Sequence, residues 1–358
     1  MALSLRINDR IRTRNVEFFN QFNVSLRFDH IASGFAFSAV FNPDNLSQKE
    51  MFCVGHDHIA EVFYKGKKLL TGYILSNGFA DGAVQEMTTF GGYSLPGFLE
   101  DCQISPDNYP LQMDGLTLRQ IAEKIIKPFR LSMIVDPVVS GAMNSVYEKA
   151  TAEPGETIKD FLTKLATQKN ILISHNENGA VLFTRANTKK EPILDFDVTL
   201  PNPIPFTHMQ LGFDGQRMHS EIHVIKQADE NGGNVGQSKI VNPYVPFVYR
   251  PRVIVQSAGN DVDTDLVARN ALSEELKGLK LIIQTDRWEY NENGIILPNN
   301  IITVLNPKVY CYKKTKWFVE QVDFQGDQEK LTTTMTCVLP EVYNGQTPTY
   351  LWKGINLH

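Results

Sequence analysis

The sequence predicts an α+β fold that is mainly β, with two similar β-domains at the ends of the chain and helix-plus-hairpin inserts between them. Three observations carry that expectation. Both flanks alternate apolar and polar residues in short runs broken by turn residues, the period-2 pattern of half-buried strands. The centre holds an amphipathic helix followed by a β-rich run, and the unit occurs twice, with Thr117 and Thr157 forty positions apart. Finally, Ile59-x-x-Val62, a turn, a strand over 70–75 and a Gly turn into 84–90 is matched late in the chain. There Ile301-x-x-Val304 is followed by a turn, a strand over 317–324, and Gly326-Asp327 leading into 331–337.

Residues 1–95 read almost wholly as strands. Val24-Ser25-Leu26-Arg27-Phe28 alternates, and Phe35, Phe37, Ala39 and Phe41 share one face of the next run, which Asn42-Pro43-Asp44 closes. A strand over 58–64, a hairpin turn at Lys65-Gly66-Lys67 and a return over 69–76 follow, and Asp81-Gly82 turns into 84–91. Short strands with frequent turns suggest a sandwich or barrel.

The first insert, 92–154, includes Gly97-Phe98-Leu99-Glu100-Asp101-Cys102 and a helix from Thr117 that Pro128 stops. Thr117-x-x-Gln120 is a capping box. In the second unit Thr157 is the N-cap, with Asp160 three residues on, and Ile158, Phe161, Leu162 and Leu165 form one apolar face. Runs over 171–174 and 180–184 are joined through Asn176-Glu177-Asn178-Gly179, whose Asn-Gly predicts a type I′ hairpin. Laid over the first unit without a gap, Leu118, Ile121, Ala122 and Ile125 coincide with Ile158, Phe161, Leu162 and Leu165. Neither unit can bury its apolar face alone.

Residues 192–205, with four prolines, read as an extended connector. Strands then resume over 219–226, 248–257, 279–288, 301–305, 309–312, 317–324 and 330–339, with a mobile tip at Asn231-Gly232-Gly233-Asn234. One helix, 263–277, turns Leu266, Val267, Ala271 and Leu272 inward, and Gly278 stands where a positive φ is favoured.

A length of 358 residues gives room for two to four domains, and 42% hydrophobic with 21% charged residues describes an ordinary globular chain. The net charge of −5 without a basic run excludes a dedicated nucleic-acid surface. Arg6, Arg10, Arg12 and Arg14 alternate in a strand and turn and read as a solvated face. No apolar leader follows Met1, and no stretch approaches the ~18 apolar residues of a membrane span. Synthesis and folding in a cytoplasm are therefore expected. Cys53, Cys102, Cys311 and Cys337 are scattered, as buried free thiols would be, and form neither a disulfide framework nor a zinc site.

Chemistry is mostly missing. There is no glycine-rich phosphate loop, and Gly92-Tyr93-Ser94-Leu95-Pro96-Gly97 is not a nucleophile elbow, because its second glycine comes one position late. His56-Asp57-His58 could offer two imidazoles from one strand face, but a zinc site needs a further ligand. His219, Glu221 and His223 alternate and would point to one side. Alternating polar residues are also the ordinary solvent face of a strand, so they are expected to be structural or surface groups. Gly155-Glu156-Thr157-Ile158 is faintly similar to the start of a LysM peptidoglycan-binding module, yet the chain continues into a hairpin and not a second helix. No local feature selects a glycosidase carboxylate pair. No catalytic, cofactor-binding or metal-binding residues are assigned.

The order of features carries more. In sequence come Gly72-Tyr73-Ile74, the segment from Gly91-Gly92 to Asp101-Cys102, 118–129 (LRQIAEKIIKPF), Pro154-Gly155-Glu156-Thr157, and Asn178-Gly179 with the strand 181–184. Tyr249-Arg250-Pro251-Arg252, Ala268-Arg269-Asn270-Ala271, Leu297-Pro298-Asn299-Asn300 and closing strands ending in Leu339-Pro340 complete the series. Together they resemble the baseplate hub family of contractile-tailed phages, the Mu-like tail protein group that includes the hub part of secretion-system spike proteins. The chain departs from the family at Gly91 to Gly97, where a serine- or arginine-rich turn is usual, and at Leu297, where a Trp is favoured.

The resemblance implies tube-like β-barrel domains at 1–95 and 205–345, a helix-bearing insert at 96–153, a helix-plus-hairpin unit with connector at 154–204, and a C-terminal tail at 346–358. It implies a structural, non-enzymatic hub without cofactors: a homotrimeric, pseudo-sixfold ring joining a sixfold tail tube to a trimeric central spike. Its expected partners are tail tube proteins, the central spike, baseplate wedge or tape-measure components, and genomic DNA only in transit, with no membrane in the free state. The expected location is the virion baseplate, after assembly in the host cytoplasm. Two other readings stay open, a peptidoglycan-binding or -degrading tail component and a monomeric all-β binding module. A ring around passing DNA should have a polar lumen, neutral to negative, because lysines and arginines facing a duplex would hold it.

Overall fold

The computed structural model describes residues 3–9, 12–16, 19–81, 86–226, 236–256, 263–292, 294–327 and 330–354. Arg10, Gly82, Val84, the tip at 231–234 and the end of the tail at 355–358 lie outside the described residues.

The first β-region contains β1 (Leu3–Asn8), β2 (Thr13–Val16), β3 (Gln21–Arg27), β4 (Gly34–Val40), α1 (Leu46–Met51), β5 (Ile59–Tyr64), β6 (Lys67–Ala80) and β7 (Met87–Ser94). Alternation sets the register. Phe22, Val24 and Leu26 of β3 and Phe35, Phe37 and Ala39 of β4 turn inward, while Gln21, Asn23 and Ala36 turn out. Lys65 and Gly66 both have positive φ, as a two-residue type I′ hairpin between β5 and β6 requires.

The insert contains α2 (Phe98–Asp101), α3 (Leu118–Ile126), β8 (Met133–Val135), α4 (Ser140–Met143), α5 (Ile158–Gln168), β9 (Leu172–His175) and β10 (Val181–Thr184). Its two halves repeat in detail. Thr117 and Thr157 cap α3 and α5 through their hydroxyls, and five buried positions of α3, Leu118, Ile121, Ala122, Ile125 and Ile126, recur forty residues on in α5. The left-handed residues recur as well, Gly115 with Gly155 before the helices and Arg130 with Asn170 after them. Residues read as two units thus share one core, from Leu99 through Ile121 and Phe161 to Phe183. Only Thr117 has the reciprocal bond of a full capping box, since Gln120 answers it and Asp160 does not answer Thr157. The β9–β10 hairpin also differs from the expected type I′ turn. Asn176 N–H bonds to the Ala180 carbonyl, its Oδ1 accepts from Asn178 and Ala180, and within the turn only Gly179 has positive φ. The loop is therefore three residues long and ends in a left-handed glycine.

The rest comprises β11 (Leu194–Asp197), β12 (His208–Phe213), β13 (Glu221–Lys226), β14 (Gln237–Val241), β15 (Pro251–Gln256), α6 (Thr264–Leu276), β16 (Leu279–Thr285), β17 (Glu289–Asn291), β18 (Gly294–Ile295), β19 (Asn300–Asn306), β20 (Cys311–Asp327), β21 (Leu331–Val338) and α7 (Glu341–Asn344). Two readings are corrected. The proline-flanked connector contains β11, which pairs parallel with β19, and of the run 309–312 only Cys311 and Tyr312 are strand, joined with 317–324 in the single strand β20. α6 packs on the three-stranded sheet β14-β13-β15, with Leu272 buried and Leu266 half-buried. Gly278 follows α6 without a positive φ. A Cβ there would lie 3.0 Å from the Asp214 carbonyl oxygen, so close approach is what favours the glycine.

The β-regions form one thirteen-stranded sheet in the order β12-β16-β21-β20-β3-β4-β7-β6-β5-β1-β2, with β19 and β11 branching from β20. β3 joins them, lying antiparallel to β20 with Arg27 opposite Gln321 and Gln21 opposite Asp327. The fold is α+β and mainly β, but neither half closes into a barrel by itself: among the described residues the sheet is open, and one apolar core runs through both halves. No helix among the described residues is long and apolar enough to cross a membrane.

Candidate functional site

The face of the joined sheet opposite that core is a polar wall. One row across the joint reads Gln284, Thr334, Asp323, Ser25, and the next reads Thr332, Gln325, Asn23, Ala36, Gly91, Ser76. A third runs Asp327, Gln21, Ser38, Thr89, Gly78. Behind them Phe22, Val24, Phe37, Phe90, Val322, Phe324 and Met335 are buried, with Phe37 stacked on Phe90 at 5.7 Å and Phe324 against Trp288 at 4.5 Å. Period-2 alternation separates the two sides.

The wall is concave over the joint, enclosing about 850 Å³ lined by Gln21, Asn23, Ser38, Asn77, Gln325 and Thr332. Its charges are few: Asp323 and Asp327 in the rows, Arg27 and Lys280 toward one rim, and Lys330 at the β20–β21 turn. The Gln321 amide donates to both Asp323 oxygens at 2.9 Å and to Ser25 Oγ at 3.3 Å, tying the halves together across the joint. Hydroxyls, amides and glycines make up most of this surface among the described residues.

On the core side the joint is held by a buried polar cluster. Lys277, at the end of α6, donates to Asp29 in the β3–β4 turn at 2.8 Å, and His30 Nδ1 lies 2.6 Å from the same carboxylate. Burial opposes ionisation of Asp29, but the His30 hydrogen bond and the Lys277 charge hold it well below the usual carboxylate range. The Tyr343 hydroxyl donates to Glu320 at 2.7 Å, and burial together with the Asp29 charge pushes Glu320 up.

The histidine candidates are brought together only in part. His58 is buried, with Nε2 3.0 Å from the Glu50 carbonyl oxygen, and the exposed His56 ring stands edge-on to it at 5.6 Å. His219 lies before β13 and turns to Glu275 of α6, at 2.7 Å, where Arg252 also bonds at 3.1 Å. Glu221 and His223 do share a face, 2.8 Å apart, and Glu221 takes Lys239 at 2.5 Å. Among the described residues no group of three or more His, Cys, Asp or Glu could hold a metal. The four cysteines are free thiols, Cys311 and Cys337 buried.

Two features escaped the sequence reading. The polar wall was visible only as the outward half of each alternation, and nothing local said those halves would join. The run Lys313-Lys314-Thr315-Lys316, with Lys353, lines a second concavity of about 510 Å³, where Lys314 reaches Asp195 at 2.5 Å.

Comparison with known proteins gives this architecture a class. Residues 96–185 match the family model described as baseplate hub protein gp44-like, second domain, the stretch that forms the insert core. Baseplate hub protein gp44 of Escherichia phage Mu is 23% identical over 300 residues, covering 76% of this chain and 74% of that protein. Two solved structures share the fold over almost the whole length. The 43 kDa tail protein of prophage MuSo2 from Shewanella oneidensis has a TM-score of 0.77 at 16% identity, covering 96% of this chain and 99% of its own. The tail protein from Neisseria meningitidis MC58 has a TM-score of 0.76 at 18% identity, covering 96% and 97%. The chain is thus similar to the baseplate hub proteins of phage tails, and its middle matches the second domain of the gp44-like model. The particular likeness is to the Mu-like tail protein group, as the ordered motifs implied.

Proposed function

We propose that the chain is the structural hub of its baseplate, a homotrimer whose six half-sheets form a pseudo-sixfold ring that joins the sixfold tail tube to a trimeric central spike and lets DNA pass. The internal repeat carries this reading. β5-β6-β7-β4-β3 and β19-β20-β21-β16-β12 are the same antiparallel succession. Two like modules per chain let a threefold object present six similar surfaces to a sixfold neighbour. In this assembly residues 1–95 and 205–345 are the tube-like domains, 96–153 and 154–204 the inserts, and 346–358 the tail. The polar wall lines the lumen. Tube, spike and wedge or tape-measure components are the partners, genomic DNA passes without being held, and the ring assembles in the host cytoplasm before joining the virion.

The role is structural and not enzymatic, a reading supported by tail-protein relatives and by a wall made mostly of hydroxyls, amides and glycines. Mass photometry at micromolar concentration tests the assembly. A species near 121 kDa, three times 40.4 kDa, is expected, and a strictly monomeric protein would overturn the ring. Sustained release of fragments from labelled peptidoglycan would overturn the non-enzymatic role.

A further inference from the structure

We infer that the outer edge of β12 pairs antiparallel with the second half of β6 in a neighbouring copy of this chain, with Gln210 opposite Ala80 and Gly212 opposite Gly78. The inference deepens the ring reading and rests on it. Its register comes from the internal repeat.

Follow one row of paired residues through each half. In the first, Asn23, Ala36, Gly91 and Ser76 stand opposite one another across β3, β4, β7 and β6. In the second, Gln210, Ile282, Thr336 and Gln321 do so across β12, β16, β21 and β20. A bulge interrupts the ladder at the same place in both, between Ile74 and Ser76 and between Val319 and Gln321. Asn23 therefore corresponds to Gln210, and Ser76 to Gln321. Within the chain the halves join with Asn23 opposite Gln325, four residues beyond Gln321. Four residues beyond Ser76 is Ala80, so the equivalent joint places Gln210 opposite Ala80.

Both edges are open. β5 covers β6 only from Lys67 to Tyr73, and among the described residues no strand continues on that side toward Ala80. β12 has β16 on one side and, among the described residues, no strand on the other. Open edges of this length invite pairing with another chain.

The side chains facing the core say what closes them. At the joint inside the chain, Val24 stands opposite Phe324 and Leu26 opposite Val322, and all four are at most 6% exposed. By the same correspondence Leu211 stands for Val24, Phe79 for Phe324 and Phe213 for Leu26. Yet Phe79 is 46% and Phe213 47% exposed in the single chain. Phe79 touches Phe41 at 4.9 Å and Phe213 touches Trp352 at 6.1 Å, yet both stay about half exposed at positions that the equivalent joint buries, and another copy supplies that cover in register. Pairing each β12 with the next chain's β6 uses a heterologous contact that closes after three chains and covers these two edges.

Oxidative crosslinking of Gln210→Cys combined with Ala80→Cys tests the register, with both single variants and the shifted pair Gln210→Cys with Ser76→Cys as controls. The expected result is covalent dimers and trimers from the 210/80 pair and none from the controls. In parallel, Phe79→Asp should weaken trimer formation about tenfold or more while its circular dichroism remains native. Trimers that crosslink at 210/76, or at neither pair, overturn this contact and leave the ring standing. Monomers in the unaltered protein overturn the ring itself.

Discussion

His175 stands at the seam between the insert and the sheet. Its Nδ1–H donates to the Asn176 carbonyl at 3.1 Å, and its Nε2, 2.6 Å from Ser33 Oγ, accepts that hydroxyl's hydrogen. Ser33 Oγ in turn accepts the Arg27 amide at 2.9 Å, and Thr71 Oγ1 secures the next turn by donating to the Glu177 carbonyl at 2.8 Å. A neutral imidazole fits this chain of donors. Burial, the leading cause, lowers the His175 pKa below its ordinary value. A depressed folded value means that the contribution is complete above the unfolded pKa of about 6.5. It is lost as pH falls from there through the folded value. The melting temperature should therefore drop between pH 7 and pH 5, and His175→Gln should flatten that slope. Identical slopes in both proteins would remove His175 from the account.

At the scale of elements, sequence period predicted best where neighbours matter least. The caps, apolar faces and spacing of α3 and α5 are local properties, and the structure reproduces them position by position. α6 is different. Its core contact depends on the sheet β14-β13-β15, and beside Leu272 it buries Ala268, Ser273, Glu275 and Leu276, a face that apolar spacing alone does not outline. Glu275 is buried because His219 and Arg252 meet it there. Leu272 is 2% exposed, and Leu272→Ala should cost ~2–5 kcal/mol in chemical denaturation if the gap stays open. A change within experimental scatter would show that α6 is peripheral. Gly92 makes the same point at one position. Read as part of a failed catalytic motif, it is required because a Cβ would lie 1.8 Å from the Tyr73 carbonyl oxygen of the adjoining strand.

For the whole molecule, the proposed ring would turn the polar wall toward transiting DNA. The chain carries 40 acidic and 35 basic residues, and the rows over the joint are hydroxyls and amides with Asp323 and Asp327 among them. Such a surface has few cations with which to release counterions from a duplex. A fluorescent duplex titrated with the assembled protein at low salt should show no tight binding. Strong, salt-sensitive binding would mean that the lysines of β20 face the DNA path, contrary to the proposed arrangement.

The amino-acid sequence by itself determined the strand alternation, the two capped helices and their forty-residue repeat, the free thiols and the resemblance between the two β-regions. Each is written in residues near one another in the chain, so local periodicity and turn chemistry suffice. Tertiary structure alone decided that the β-regions share one sheet, because the β3–β20 ladder joins residues roughly 300 positions apart and no local pattern specifies an edge-to-edge partner. It likewise decided that the proline-flanked connector supplies β11, that His219 belongs with Glu275 and not with His223, and that outward residues of seven strands combine into one polar wall. In each case the deciding energy lies in contacts between distant segments. A sequence states what every segment can bury or expose, and the fold selects which segment meets which.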